Sequence, residues 1–201
     1  MSRQHEDGQV AAASAALKAA GVADADTARC TPLSGGTYNT VVGVVFEDHR
    51  RWVVKIPPPP SAPGLSHEKE LLRGEVAFYT SAATAPGIPV PTVLHSELDP
   101  YAAGGPYLIS TLCPGRPWNG LSETIRDDER RRLRTELGAV VARLHTVAGT
   151  GFGYPAAPLG PPPATWRQTL SGVIDGERMS RTRKRVTPHL LAAVETLDTH
   201  I

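Results

Sequence analysis

The stretch Leu33-Ser34-Gly35-Gly36-Thr37-Tyr38-Asn39-Thr40-Val41, followed by Trp52-Val53-Val54-Lys55-Ile56 and then Leu71-Leu72-Arg73-Gly74-Glu75, decides how this chain folds. From Thr37 to Phe46 the chain is rich in β-branched residues, and Arg51 to Ile56 repeats that character after the polar turn Glu47-Asp48-His49-Arg50. Two such runs around a short polar turn predict a hairpin of adjacent strands. Alternation along the second run puts Trp52, Val54 and Ile56 on one face and Val53 with Lys55 on the other. A lysine in mid-strand between apolar neighbours is costly to bury without a counter-charge. The bland alternative is an edge lysine with its head in water.

Glu75 supplies the counter-charge. At about 100° per residue from Leu71, Glu75 falls near 40°, Tyr79 near 80° and Leu72 near 100°, so the carboxylate lies within the apolar stripe of a helix. Glu68 falls on the same side, but in the first turn, where exposure is expected. The glycines at 35 and 36 let the backbone come close to a phosphate and can take positive φ. A Gly-Gly pair between strands is often only a turn, and the Gly-x-x-x-x-Gly-Lys-Ser/Thr pattern of a P-loop is missing. Glycine turn, strand lysine and helix glutamate in this order say more than any one of them.

Composition sets the frame. The chain has 201 residues, 40% hydrophobic and 20% charged, ordinary values for a globular protein with room for a proper core. Lys plus Arg number 21 and Asp plus Glu 20, a net +1 that gives no support to nucleic-acid or membrane-surface binding. The basic run Arg178 to Arg185 reads as a solvated face rather than a polyanion site. Cys30 and Cys113, without metal-ligand spacing, suit a reducing cytoplasm and predict neither disulfide scaffold nor metal site. Val10 to Ala20 is alanine-rich, follows His5-Glu6-Asp7 and contains Lys18, so it predicts a helix rather than a signal peptide.

Past the hairpin, Pro57 to Pro60 predicts a stiff exposed connection. A helix is expected from about Ser66 to Ala83, with Glu68 and Glu70 in its first turn. Strands follow at Thr92–Leu98 and Tyr107–Leu112. Cys113-Pro114-Gly115-Arg116-Pro117 is a rigid connector between two lobes. Leu133, Leu137, Val140, Val141 and Leu144 form one face of a helix over Asp127–Val147. A Gly/Pro-rich loop from Gly149 to Pro163 precedes helices near Thr165–Ile174 and Pro188–His200.

Gly-Gly-Thr-Tyr-Asn39 ahead of Val53-Val54-Lys55, the helix Glu75, Ile88-Pro89-Val90-Pro91, Tyr107-Leu108-Ile109 before Pro114-Gly115, and Leu137-Gly-x-x-x-Ala-x-Leu-His145 together resemble the aminoglycoside phosphotransferase family. The resemblance covers about residues 25 to 154 and, more loosely, Trp166-Arg167 onward. It implies an α+β, protein-kinase-like fold: a β-rich N-terminal lobe with one helix over residues 1–112, a hinge at 113–117, and the first helices of an incomplete helical lobe over 118–201. The implied activity is transfer of the ATP γ-phosphoryl, with Mg2+, to a hydroxyl of a small molecule, with antibiotic resistance as one setting. By the same resemblance Lys55 holds the α- and β-phosphates and Glu75 orients it. The loop with Ser34, Gly35, Gly36, Thr37 and Asn39 covers the triphosphate. Leu33, Val41 and Val53 line the adenine slot, and the backbone from Ser110 through Leu112 to Cys113 meets the base. His145 ends a structural helix.

The family's His-x-Asp loop and following Asn are not found between Glu75 and Ile201, so no catalytic or metal-binding residue is expected in this chain. Val173-Ile174-Asp175-Gly176 mimics the magnesium-binding Asp but reads as a helix end. The expectation is therefore a fragment of an enzyme; the rival is a non-catalytic nucleotide-binding or interaction protein. Acceptor contacts in this family come from the absent half, which leaves the substrate open.

Overall fold

The computed structural model describes residues 3–34, 38–62, 70–121, 123–149, 151–153 and 165–171. In chain order these form α1 (Arg3–Ala19), β1 (Arg29–Pro32), β2 (Thr40–Val45), β3 (Arg51–Ile56), α2 (Leu71–Ala82), β4 (Val93–Glu97), β5 (Tyr107–Thr111), a 3-10 turn at Trp118–Gly120, and α3 (Asp127–Leu144). Residues 166–171 are helical as well. The chain divides into two compact units, Met1–Pro58 with Phe78–Ala148 and Pro59–Ala77 with Gly149–Ile201.

In the first unit the five strands make one antiparallel sheet in the order β1-β2-β3-β5-β4. The predicted hairpin is β2–β3, with Val41 opposite Lys55, Val42 opposite Val54 and Gly43 opposite Val53. In its turn the Asp48 carboxylate accepts the Arg50 N–H at 3.1 Å, the local closure expected of an Asp in a tight turn. The Arg50 guanidinium also pairs with Asp48 and Asp24 and lies over the rings of Phe46 and Trp52 at 4.5 and 5.1 Å. Arg50 thus ties the segment after α1 to this turn, though exposed ion pairs of this kind stabilise only modestly.

One face of the sheet carries Val42, Val44, Phe46, Val54, Tyr107 and Ile109, with Cys30, Trp52, Ile56 and Leu94 at its margin. Helix α1 covers it with Ala13, Ala16 and Leu17, all buried. The alanines let the helix approach closely. The helix stops at Gly21 (φ 72°), where the Gly21 N–H donates to the Lys18 carbonyl and the Val22 N–H to the Leu17 carbonyl. That pair of bonds satisfies carbonyls a helix end would otherwise leave open, and it needs a residue tolerant of positive φ.

Several boundaries differ from the sequence expectation. α1 starts well before Val10, β1 has no counterpart among the expected strands, and α3 ends at Leu144 rather than Val147. α2 begins at Leu71, and Glu70 is not in its first turn. With φ 55° it stands just outside, its carbonyl accepting the Arg73 N–H at 2.9 Å. Ser66 to Lys69, the Pro188–His200 helix, Asp175 and the Arg178–Arg185 run lie outside the described residues. The stripe on α3 forms as read, yet none of its described residues is buried, and Leu137 and Val141 are exposed. A helical period shows which face is apolar but not what covers it.

Candidate functional site

The sheet face opposite α1 follows from the strand register. Val41 and Lys55 stand opposite each other, Lys55 faces Leu108 on its other side, and Val53 lies between Gly43 and Ser110. Strand alternation points these side chains away from the α1 core. Leu33 joins them: its N–H donates to the Val41 carbonyl at 2.8 Å, and its Cδ2 lies 3.3 Å from where a Gly43 Cβ would stand. The missing side chain at 43 makes the recess that Leu33 occupies. Val53, Leu108 and Ser110 are buried and Lys55 is half-buried, so the face is an apolar floor with one cation rising from it.

Lys55 leans toward α2, its Nζ lying 5.9 Å from the centroid of the Tyr79 ring. Tyr79 follows Glu75 by one helical turn, so both occupy the stripe expected for this helix. Glu75 is half-buried, as its place in that stripe requires. At the end of β5 the Leu112 N–H donates to the Arg51 carbonyl at 3.0 Å, and the Thr111 N–H to the Thr92 carbonyl at 3.0 Å. The Leu112 N–H is therefore committed to the sheet and not to a base. Among the described residues the Leu112 carbonyl and the Cys113 N–H make no backbone hydrogen bond.

The loop between β1 and β2 is described at both ends. Ser34 is exposed, and the side-chain oxygen of Asn39 is buried with no hydrogen-bond partner among the described residues. Gly35, Gly36 and Thr37 lie outside the described residues. The structure thus brings together Leu33, Val41, Val53, Lys55 and Ser110, with Leu112 at the strand end. Sequence reading missed Gly43, Leu108 and Tyr79. Tyr79 was within reach, because it shares the Glu75 stripe; Leu108 depends on a strand pairing that periodicity does not reveal. His145 closes α3, exposed, its N–H bonded to the Val141 carbonyl at 3.0 Å, a helix end as expected.

Among the described residues no three His, Cys, Asp or Glu side chains gather to hold a metal, and no helix is long and apolar enough to cross a membrane. Burial pushes the Cys30 thiol and the Tyr107 hydroxyl up, but both lie on the α1 side of the sheet, away from this face.

A family model of phosphotransferase enzymes matches residues 29–199. The chain belongs to this phosphotransferase family. The resemblance read from its motifs holds. Among solved structures, the chain is similar to the crystal structure of a protein assigned as a fructosamine-3-kinase from Thermobifida fusca YX-ER1. The TM-score is 0.52 at 19% identity, over 85% of this chain and 56% of that one. At that identity the likeness shows the fold alone, which is α+β and protein-kinase-like. This chain spans little more than half the length of that relative. No curated protein matches it.

Proposed function

We propose that this phosphotransferase chain carries the nucleotide site for moving the γ-phosphoryl of ATP to a hydroxyl of a small molecule, aminoglycosides among the candidates. Residues 1–112 are the nucleotide-binding lobe, 113–117 the hinge, and 118–201 the opening of the helical lobe. The observation that carries this reading is the register placing Lys55 beside Val41 on the sheet face opposite α1.

The residues present suit a nucleoside triphosphate. Leu33, Val41 and Val53 offer a flat apolar surface for a base, and Leu112 and Cys113 offer one carbonyl and one N–H to its edge. Lys55 holds phosphate oxygens, with Glu75 orienting it, and the loop from Ser34 through Gly35, Gly36 and Thr37 lies over them. The orphaned Asn39 oxygen wants a donor, which a ribose hydroxyl or a nucleotide-held water supplies. When bound, ATP brings the transferable phosphoryl and Mg2+ neutralises its charge. The catalytic Asp and the magnesium ligands of that chemistry are assigned to no residue of this chain. Cys30 and Cys113, which form no disulfide, suit a cytoplasmic setting.

Calorimetric titration with ATP tests the assignment. Lys55→Met removes a charge-assisted contact worth about 1.5–3 kcal/mol, so affinity is expected to fall roughly tenfold to a hundredfold. A folded Lys55→Met chain that binds ATP as tightly as wild type takes Lys55 out of the site.

A further inference from the structure

The Lys55 side chain leaves β3 between two apolar cross-strand neighbours, Val41 and Leu108. Directly opposed side chains stand about 4.5–5.5 Å apart at Cβ, so these two wall the aliphatic stem on both sides. Neither side chain offers a hydrogen bond, so the ammonium's partners lie beyond them. There it meets the ring of Tyr79 at 5.9 Å. The ring of the neighbouring Phe78 lies 5.8 Å from it between centroids, tilted by 55°. Tyr79 is half-buried, which strengthens attraction between a cation and a ring face.

We propose that Tyr79 is a positioning residue for Lys55, its ring fixing where the ammonium stands before a phosphate arrives. The inference rests on the reading of Lys55 as the phosphate-holding cation. An aromatic ring suits this task in a way a second carboxylate does not. It attracts the charge without itself using any of the three N–H donors that phosphate oxygens take up. Tyr79 lies one turn beyond Glu75 along α2.

Two readouts on the full 201-residue chain test this. In the first, lysine is labelled with 13C at Cε, and the Lys55 signal is assigned by its loss in Lys55→Met. The Lys55 Hε resonances are expected to be displaced upfield by the ring, to stay displaced in Tyr79→Phe, and to return to the ordinary lysine position in Tyr79→Leu. In the second, ATP affinity is expected to weaken roughly three- to fivefold in Tyr79→Leu, the size of one partly exposed cation–ring contact, and to be unchanged in Tyr79→Phe. An ordinary Lys55 signal in the wild type overturns the contact, with no nucleotide needed. Wild-type ATP affinity in Tyr79→Leu, beside a loss in Lys55→Met, overturns the positioning role and leaves the proposed function standing. Equal weakening in Tyr79→Phe and Tyr79→Leu shifts the role to the hydroxyl and overturns the ring. Unchanged affinity in Lys55→Met, beside a displaced Lys55 signal in the wild type, sinks the proposed function, and this role with it.

Discussion

Truncating Leu17 to alanine removes three carbons from a side chain that is fully buried where α1 crosses the sheet. At about 0.8 kcal/mol per buried methylene, the lost transfer free energy alone comes to about 2.4 kcal/mol. The cavity adds to this. It opens inside the core cluster that Leu17 shares with Val42, Val44 and Val54, residues held in a hydrogen-bonded sheet that collapses poorly, so the total is expected within about 2–5 kcal/mol. Leu137→Ala is the natural control: the same three carbons leave a helix, but from a residue 53% exposed, and no more than about 1 kcal/mol is expected. Urea unfolding followed by far-ultraviolet circular dichroism reads both, the midpoint falling while the slope is kept. Against a total stability of about 5–15 kcal/mol, the Leu17 effect is large enough to be unmistakable. A Leu17→Ala cost under about 1 kcal/mol, or a Leu137→Ala cost equal to it, would refute the claim that α1 is the cover of the sheet.

Two further outcomes follow from the hairpin turn and the sheet face that carries Lys55. Gly43→Val is expected to push Leu33 off the sheet face and weaken ATP binding, with a folding cost of roughly 1–3 kcal/mol, while Gly43→Ala meets only the flexible end of Leu33 and is tolerated. Undiminished ATP affinity in folded Gly43→Val would take Leu33 out of the slot. The hydrogen bond from the Arg50 side chain, first among its causes, holds the Asp48 carboxyl below its ordinary value of 3.8. Its contribution to stability is therefore complete above 3.8 and is lost as pH falls through the lower, folded-state value. The stability gap between wild type and Asp48→Asn should be open at neutral pH and close only below 3.8; thermal melts across that range showing a constant gap would contradict the pairing.

The β2–β3 hairpin was legible because a half-buried strand writes its two faces into alternate residues, and Trp52, Val54 and Ile56 do go to the α1 side while Lys55 does not. α2 and α3 were legible from their periods, to within a few residues at their ends. β1 was not. Arg29-Cys30-Thr31-Pro32 is four residues long, half of them polar or charged, and becomes a strand only because β2 offers an edge to pair with. The site divides along the same line. Lys55, Val41 and Val53 follow from alternation, whereas Leu108 and Gly43 acquire meaning only when strands distant in sequence lie side by side.

By itself, the sequence determined the β2–β3 hairpin and the helical stretches of α2 and α3, which face of each is apolar, and that Lys55 would stand on the β3 face opposite Trp52, Val54 and Ile56. Those are local matters, set by backbone period and side-chain chemistry within a few residues. Tertiary structure alone decided that β5 inserts between β3 and β4, that α1 rather than α2 seals the apolar face, and that the Lys55 ammonium comes to rest by the Tyr79 ring. These outcomes rest on contacts between residues far apart in the chain. Which partner wins is set by the closeness of packing once the sheet has formed, and no repeat in the sequence records it.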